Sequence, residues 1–287
     1  MPVIISASRR TDIPAHWSEW FMRRVREGFA VARNPMNSKQ ERRVSLRPED
    51  VGAIVFWTKN PAPILPRLAE LSGYAYYFQF TVTPYGRDIE PGVPDKEKEI
   101  IPLFRRLAGA IGPERVIWRY DPVLISERYG IDFHLRSFEK FARALEGFTL
   151  RCVFSYLDMY RGMSRAAREL GFRAPDEAEK LALARELASA ATAHGITPES
   201  CAEDINLEQF GINHTSCIDA ALIEKISGRQ LPCAKDKNQR RHCRCTPAID
   251  IGAYDTCASG CRYCYASHST RRTAANIANH DDGAPYL

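Results

Sequence analysis

The chain has 287 residues, of which 45% are hydrophobic and 26% charged, and its net charge is +5 (40 basic minus 35 acidic residues). This composition supports a packed core in one large or two small domains, and so small a charge does not by itself imply a polyanionic partner. No apolar run approaches the roughly 20 residues of a membrane-spanning helix, which excludes such a helix. The short apolar start precedes arginines, the reverse of a signal peptide, so we expect a cytoplasmic protein with no membrane partner.

Short runs rich in β-branched and aromatic residues alternate with longer amphipathic segments along the chain. The short runs predict buried strands at 2–8, 52–58, 74–83, 115–121, 150–156, 195–200 and 247–255. The amphipathic segments predict helices at 14–28, 94–112, 132–147 and 174–195, the third with Asp132 as its N-cap. The alternation favours an α/β fold with a parallel sheet, a TIM-like (β/α) barrel that is closed or partial.

Polar side chains follow the predicted strands. In such barrels the chemistry collects at the carboxyl ends of the strands, so we expect these side chains to line a pocket. The residues concerned are Arg9, Arg10, Asp12, Lys59, Arg119, Asp121 and Glu203.

Eight of the nine cysteines lie in the last third of the chain, and Cys152, inside a predicted strand, is interpreted as a core residue. Cys257, Cys261 and Cys264 form a C-x3-C-x2-C motif. Three thiolates on one loop can bind three irons of a four-iron cube and leave the fourth iron open. His268 follows at a spacing that would also close a zinc site, so zinc remains an alternative.

The motif resembles a known signature. C-x3-C-x2-C followed by Tyr265 is similar to that of the radical S-adenosyl-L-methionine (SAM) enzymes, and GCRYCYA resembles the spore photoproduct lyase branch. Through SASRRTDIP, FWTKNP, KDKNQR and DIGAYDTCASGCRYCYA the whole chain resembles the bacterial DUF1848 family. The resemblance implies a 4Fe-4S cluster whose open iron chelates SAM. It also implies a 5′-deoxyadenosyl radical acting on a small-molecule or macromolecular substrate, and an electron donor such as flavodoxin or ferredoxin.

The position of the motif departs from that superfamily, where it lies near the N-terminus. Here only 23 residues follow Cys264 (287 minus 264). This predicts a circularly permuted barrel in which 247–255 lies beside 2–8. We expect residues 1–200 to form the barrel body, 201–246 a cysteine-rich segment, and 247–287 the permuted strand and cluster-binding loop, within one compact domain.

Residue roles follow from the resemblance and from position in the chain. The SRRTD stretch takes the place of the glycine-rich SAM-binding segment, which makes Arg9, Arg10 and Asp12 candidate cofactor-binding residues, with Lys59 and Tyr265. Tyr120 and Tyr265 are expected to pack against the adenine. The candidate catalytic residues are Arg119, Asp121 and Glu203.

Four further cysteines precede the motif, namely Cys201, Cys217, Cys243 and Cys245. Four thiolates make a closed site, which predicts an auxiliary 4Fe-4S cluster for electron transfer. A structural zinc is one alternative, and unrelated thiols, or Cys233 in place of one of the four, are others. The histidines His16, His134 and His194 have no ligand-like partner nearby in sequence and are interpreted as structural.

The favoured function is therefore a radical SAM enzyme of unknown substrate. Two alternatives remain. One is a non-catalytic iron–sulfur protein that transfers electrons or senses redox state. The other is a zinc-stabilised nucleic-acid-binding protein, suggested by the basic N-terminal stretch, although aromatic residues interleaved with the basic ones are sparse.

Overall fold

Eight of the strands form one parallel sheet in the computed structural model, which describes residues 2–35, 37–230 and 234–287. The strand order is β10-β1-β4-β5-β6-β7-β8-β9. A separate antiparallel hairpin consists of β2 and β3. The strands are β1 Val3–Ala7, β2 Phe29–Asn34, β3 Asn37–Ser45, β4 Val51–Thr58, β5 Tyr76–Thr81, β6 Val116–Val123, β7 Arg151–Tyr156, β8 Thr197–Ser200, β9 Asn213–His214 and β10 Ile249–Asp250.

The sheet is a partial barrel. Each neighbouring pair of strands in it is parallel. Within the described residues, β9 and β10 are the two edges and do not pair with each other. The last strand of the chain pairs with the first, with Ile5 opposite Ile249 and Ser6 opposite Asp250. The predicted α/β barrel-like fold is confirmed, and so is the predicted neighbourhood of the two chain ends.

Helices pack on both faces of the sheet, most of them on one face. They are α1 Ile13–His16, α2 Ser18–Glu27, α3 Ile101–Ile111, α4 Ile131–Leu145, α5 Ser164–Leu170, α6 Glu177–Ala193, α7 Ala220–Ser227 and α8 Thr270–Ala278. Short 3₁₀ turns at Leu65–Leu71, Pro113–Arg115, Arg161–Met163 and Glu208–Phe210, and a π-turn at Lys96–Ile100, complete the connections. Within the described residues, no helix has the length and apolarity needed to cross a membrane.

Successive strand residues point to opposite faces of the sheet, which divides the core in two. Side chains such as Phe56, Trp118 and Phe154 face the helices and form the larger cluster with α2, α3, α4 and α6. We call the opposite side the inner face. There Val55, Ile117 and their neighbours pack against α7 and the cysteine-rich segment. Any chemistry carried by that segment is therefore held on the inner face.

Local details differ from the sequence-based expectations, and β9, α5, α7 and α8 were not predicted. The segment 14–28 forms two helices, because the Asp12 side chain caps α1 at Ala15 N and the helix breaks at Trp17. The assignment of Asp132 as an N-cap is wrong, since α4 begins at Ile131 after Gly130. Asp132 instead lies in the first turn, where its charge favours the helix N-terminus. The hairpin of β2 and β3 was not predicted, because its polar second strand lacks a clear apolar alternation.

Tyr120 lies on the helix-covered face, so its predicted packing against an adenine is wrong. Its ring contacts Trp118 and Phe138, and its hydroxyl donates to Nδ1 of His134 at 2.9 Å. Nε2 of the buried His134 donates to Leu124 O at 2.8 Å. His134 is therefore structural, as expected.

The burial of His134 predicts a loss of stability in mild acid. Burial lowers its pKa from 6.5 to about 4. Above pH 6.5 both folded and unfolded chains hold a neutral ring, but below it only the unfolded chain takes up the proton. We expect His134 to cost about 2 kcal/mol of stability between pH 7 and pH 5. In urea unfolding, the stability difference between the native chain and His134→Gln should shrink by that amount at pH 5. An unchanged difference would contradict this reading.

Candidate functional site

The loop after β10 carries Cys257, Cys261 and Cys264, each half-buried. We call these three residues the triad. Because β10 runs parallel to β1, the loop leaves the sheet at its carboxyl edge, where parallel-barrel enzymes place their chemistry. The C-terminal motif thus reaches the position that the predicted permutation requires.

Asp250 fixes the start of this loop against the N-terminal strand. Its carboxylate accepts hydrogen bonds from Ser6 Oγ and Ser8 Oγ, both at 2.6 Å, and from Arg9 N at 2.9 Å. These bonds join residues more than 240 positions apart in the chain. The loop and the SRRTD stretch therefore form one unit.

The middle of the loop rests on the segment that follows β5. Gly92 N donates to Ser259 O at 3.0 Å, and Arg262 N donates to Ile89 O at 2.9 Å. A side chain at Gly92 would meet the carbonyl oxygens of Ala258 and Ser259 at 2.7 and 2.9 Å, so this close approach requires glycine.

His16 acts on the triad, although the sequence suggested only a structural role. Its ring hydrogen-bonds Ser259 Oγ at 2.9 Å and also contacts Cys257. Burial opposes ionisation of the Cys257 thiol, but the hydrogen bond and charge of His16, together with a hydrogen bond from Ser259, lower its pKa. No local pattern could have revealed this role, because the partners lie 241 residues apart (257 minus 16).

A buried ionic network lies beneath Cys261. The Glu90 carboxylate accepts from Lys59 Nζ at 2.8 Å, Lys96 Nζ at 2.6 Å and Thr83 Oγ1 at 2.8 Å, and also from the Tyr263 hydroxyl. Burial alone would raise the pKa of Glu90, but the two ammonium groups lower it to about 2. Lys59, a predicted cofactor-binding residue, is thus held by Glu90, and its charge also acts on Cys261.

The other candidate cofactor-binding residues divide into two groups. Asp12 is a structural cap, since its two oxygens accept from Ala15 N at 3.0 Å and Lys59 N at 2.7 Å. Arg9, Arg10 and Tyr265 surround the loop instead. Tyr265 is 42% exposed and donates to Arg9 O at 2.9 Å, and the Arg10 guanidinium lies 5.5 Å from the Tyr254 ring centre.

Of the three candidate catalytic residues, Arg119 lies in the middle of β6, Asp121 lies towards the carboxyl end of that strand, and Glu203 follows β8. Arg119 and Asp121 form an ion pair, and Asp121 also accepts from the Ser155 hydroxyl. Glu203 accepts from Tyr156 N at 2.9 Å. Burial raises the pKa of Glu203 to about 7, with a contribution from the charge of Asp121. Glu203 can therefore exchange a proton near neutral pH.

The four other cysteines meet on the inner face. We call Cys201, Cys217, Cys243 and Cys245 the tetrad. The Sγ atoms of Cys201 and Cys217 are 3.0 Å apart, and Cys245 contacts both Cys217 and Cys243. Hydrogen bonds from Cys201 and Cys245, with the charges of Arg119 and Arg9, lower the pKa of Cys217 well below its usual range.

Cys233, the alternative fourth cysteine, lies outside the described residues. Within the described residues, no three His, Cys, Asp or Glu side chains stand at the spacing of a preformed ion site. Cys152 is fully buried on the helix-covered face, as the core interpretation predicted.

The chain matches a protein family over most of its length. Residues 4–266 match the family described as a domain of unknown function, DUF1848. The chain belongs to the DUF1848 family. No curated protein matches this DUF1848 chain.

One solved structure similar to the DUF1848 chain is "Spore photoproduct lyase complexed with dinucleoside spore photoproduct", with a TM-score of 0.37 and 17% sequence identity. The match covers 58% of this chain and 53% of that one, so this chain spans about half the length of the lyase. So distant a likeness supports no statement about function.

Proposed function

We propose that this DUF1848 protein is a radical SAM enzyme in which Cys257, Cys261 and Cys264 hold a 4Fe-4S cluster. The observation that carries the proposal is the place of the triad at the carboxyl edge of the parallel sheet, beside β1. The motif comes from the end of the sequence, yet its loop is bonded to the first strand through Asp250.

The donor set fits a cluster with one open iron. The loop supplies three thiols, and the preceding cysteine in the chain, Cys245, belongs to the tetrad. Against the effect of burial, His16 lowers the pKa of the Cys257 thiol. Burial raises the pKa of Cys261, and the charge of Lys59 opposes that rise. Ala266 N donates to Cys264 Sγ at 3.4 Å, a contact that also stabilises a thiolate.

The surrounding residues fit the two substrates of such an enzyme. When bound, the cluster supplies the electron that cleaves SAM to a 5′-deoxyadenosyl radical. Arg9 and Arg10 provide cations for the SAM carboxylate, and Tyr265 beside Tyr254 provides an aromatic surface for the adenine. Arg119 and Asp121 would orient the second substrate, and Glu203 would hold or release a proton. A flavodoxin or ferredoxin would deliver the electron.

Anaerobic reconstitution tests this function. We expect about four irons bound by the triad in each chain, an EPR signal of the reduced cluster that changes when SAM is added, and formation of 5′-deoxyadenosine under reduction. An EPR signal that does not change when SAM is added, with no 5′-deoxyadenosine formed, would contradict the proposal and favour an electron-transfer protein. Protein that takes up no iron on anaerobic reconstitution would contradict both iron–sulfur functions and favour the zinc-stabilised nucleic-acid-binding alternative.

A further inference from the structure

The tetrad joins three distant parts of the chain on the inner face. Cys201 directly follows β8, Cys217 precedes α7, and Cys243 and Cys245 lie ahead of β10. All four side chains are buried, with exposed fractions between 1% and 6%. Buried thiolates require a positive partner, so four thiols grouped in this way are suited to a single metal ion.

Hydrogen-bond donors point at the tetrad sulfurs, as they do around metal thiolates. Arg119 Nη1 donates to Cys217 Sγ at 3.1 Å, and Ile218 N donates to Cys245 Sγ at 3.4 Å. The peptide of Cys217 is itself fixed, because its carbonyl accepts from Tyr77 Oη at 2.6 Å and Gln79 Nε2 at 2.9 Å. Such outer contacts orient ligands before a metal binds.

Buried cations surround the tetrad. The charge of Arg9 acts on Cys217, Cys243 and Cys245, and its buried Nη2 has no hydrogen-bond partner among the residues that the structure describes. Arg119 lies on the other side of Cys217. Four thiolates around one divalent ion carry two net negative charges, and the two guanidinium groups place positive charge beside them, although Arg119 is also paired with Asp121.

The close spacing of one pair of tetrad sulfurs suits a single metal ion better than a four-iron cube. Zinc–sulfur bonds of about 2.3 Å at tetrahedral angles place sulfurs about 3.8 Å apart. The Sγ atoms of Cys201 and Cys217, at 3.0 Å, need move apart by less than 1 Å to reach that spacing. A four-iron cube binds each thiolate on a different iron and needs a wider opening. The triad sulfurs interact by charge, and among the described residues no hydrogen bond joins them.

We propose that Cys201, Cys217, Cys243 and Cys245 bind a single Zn²⁺ ion in a closed tetrahedral site. The site is distinct from the triad and does not depend on the radical SAM proposal. Because Cys243 and Cys245 precede β10, the ion would tie the segment leading to the cluster loop to the inner face of the barrel. Its role is then to hold the triad in place.

Cobalt substitution of the full-length, reduced, iron-free chain tests the site. We expect one Co²⁺ per chain, with the intense visible bands of tetrahedral thiolate coordination, and displacement of that Co²⁺ by an equivalent of Zn²⁺. The triad variant Cys257→Ser/Cys261→Ser/Cys264→Ser should keep these bands, whereas Cys243→Ser/Cys245→Ser should lose them. Cys243→His keeps four ligands, so it should retain cobalt with shifted bands even if the double variant fails to fold.

The outcomes separate this proposal from the proposed function. Zinc retained by the triad variant supports the tetrad site whether or not the native chain cleaves SAM. The proposal is overturned if the cobalt bands vanish in the triad variant, or if Cys201 and Cys217 are joined by a disulfide in the purified protein. It is also overturned if reconstituted native protein holds about eight irons with matching sulfide and the triad variant keeps four, because the tetrad then holds a cube.

Discussion

Replacing Cys257 with alanine is expected to abolish 5′-deoxyadenosine formation and to remove the triad's irons. Cys257 is the ligand whose thiolate the structure favours most, through its contact with His16. With only two thiolates left on the loop, the cube loses one of its three anchors and the open iron is no longer defined. Iron and sulfide counting after anaerobic reconstitution, together with the EPR signal, measures the loss.

Two further variants make this result specific. Cys152→Ala removes a thiol from the helix-covered core and should leave iron content and SAM cleavage unchanged. His16→Ala keeps all three thiols but removes the group that favours the Cys257 thiolate, so we expect about 10–100-fold weaker iron retention. Full iron content and activity in Cys257→Ala would show that the triad is not the cluster site.

Glu90→Gln is expected to cost about 3–5 kcal/mol of unfolding free energy. Glu90 is fully buried between the ammonium groups of Lys59 and Lys96, whose side chains are 16% and 11% exposed. Removing the carboxylate charge leaves two poorly solvated cations facing each other, which costs more than the lost attraction alone. Since Tyr263 and Lys59 link this network to the motif, the variant should also retain less iron.

The exposed pair of Glu97 and Lys140 provides the matched control. Its Glu97 Oε1 to Lys140 Nζ distance is 2.6 Å, but both side chains are more than half exposed. Glu97→Gln should therefore cost less than about 1 kcal/mol. Urea unfolding at pH 7 compares the two variants, and equal costs would contradict the importance of the buried network.

The network also predicts how stability depends on pH in strong acid. The folded pKa of Glu90 is lowered from 4.5 to about 2. The stabilisation that ionised Glu90 gives the folded chain is therefore complete above pH 4.5 and is lost as the pH falls towards 2. The Glu90→Gln variant has no carboxylate to protonate at this position, so it should not show this loss of stability.

The sequence by itself determined the parallel sheet, the triad, the candidates for a second cysteine site and the meeting of the chain's two ends. These features rest on local signals, namely β-branched runs, cysteine spacing and a strand pattern at 247–255 next to the motif. Strand positions were predicted to within a few residues, because buried strands differ in composition from the helices between them.

Only the tertiary structure showed which polar residues contact the triad and its loop. Asp12 caps a helix, Tyr120 faces the helices, His16 reaches Cys257, and Glu90 lies under the motif. The same holds for the contact between sulfurs in the tetrad. Such contacts join residues far apart in the chain, and they depend on side-chain direction and strand register, neither of which leaves a periodic signal in one sequence.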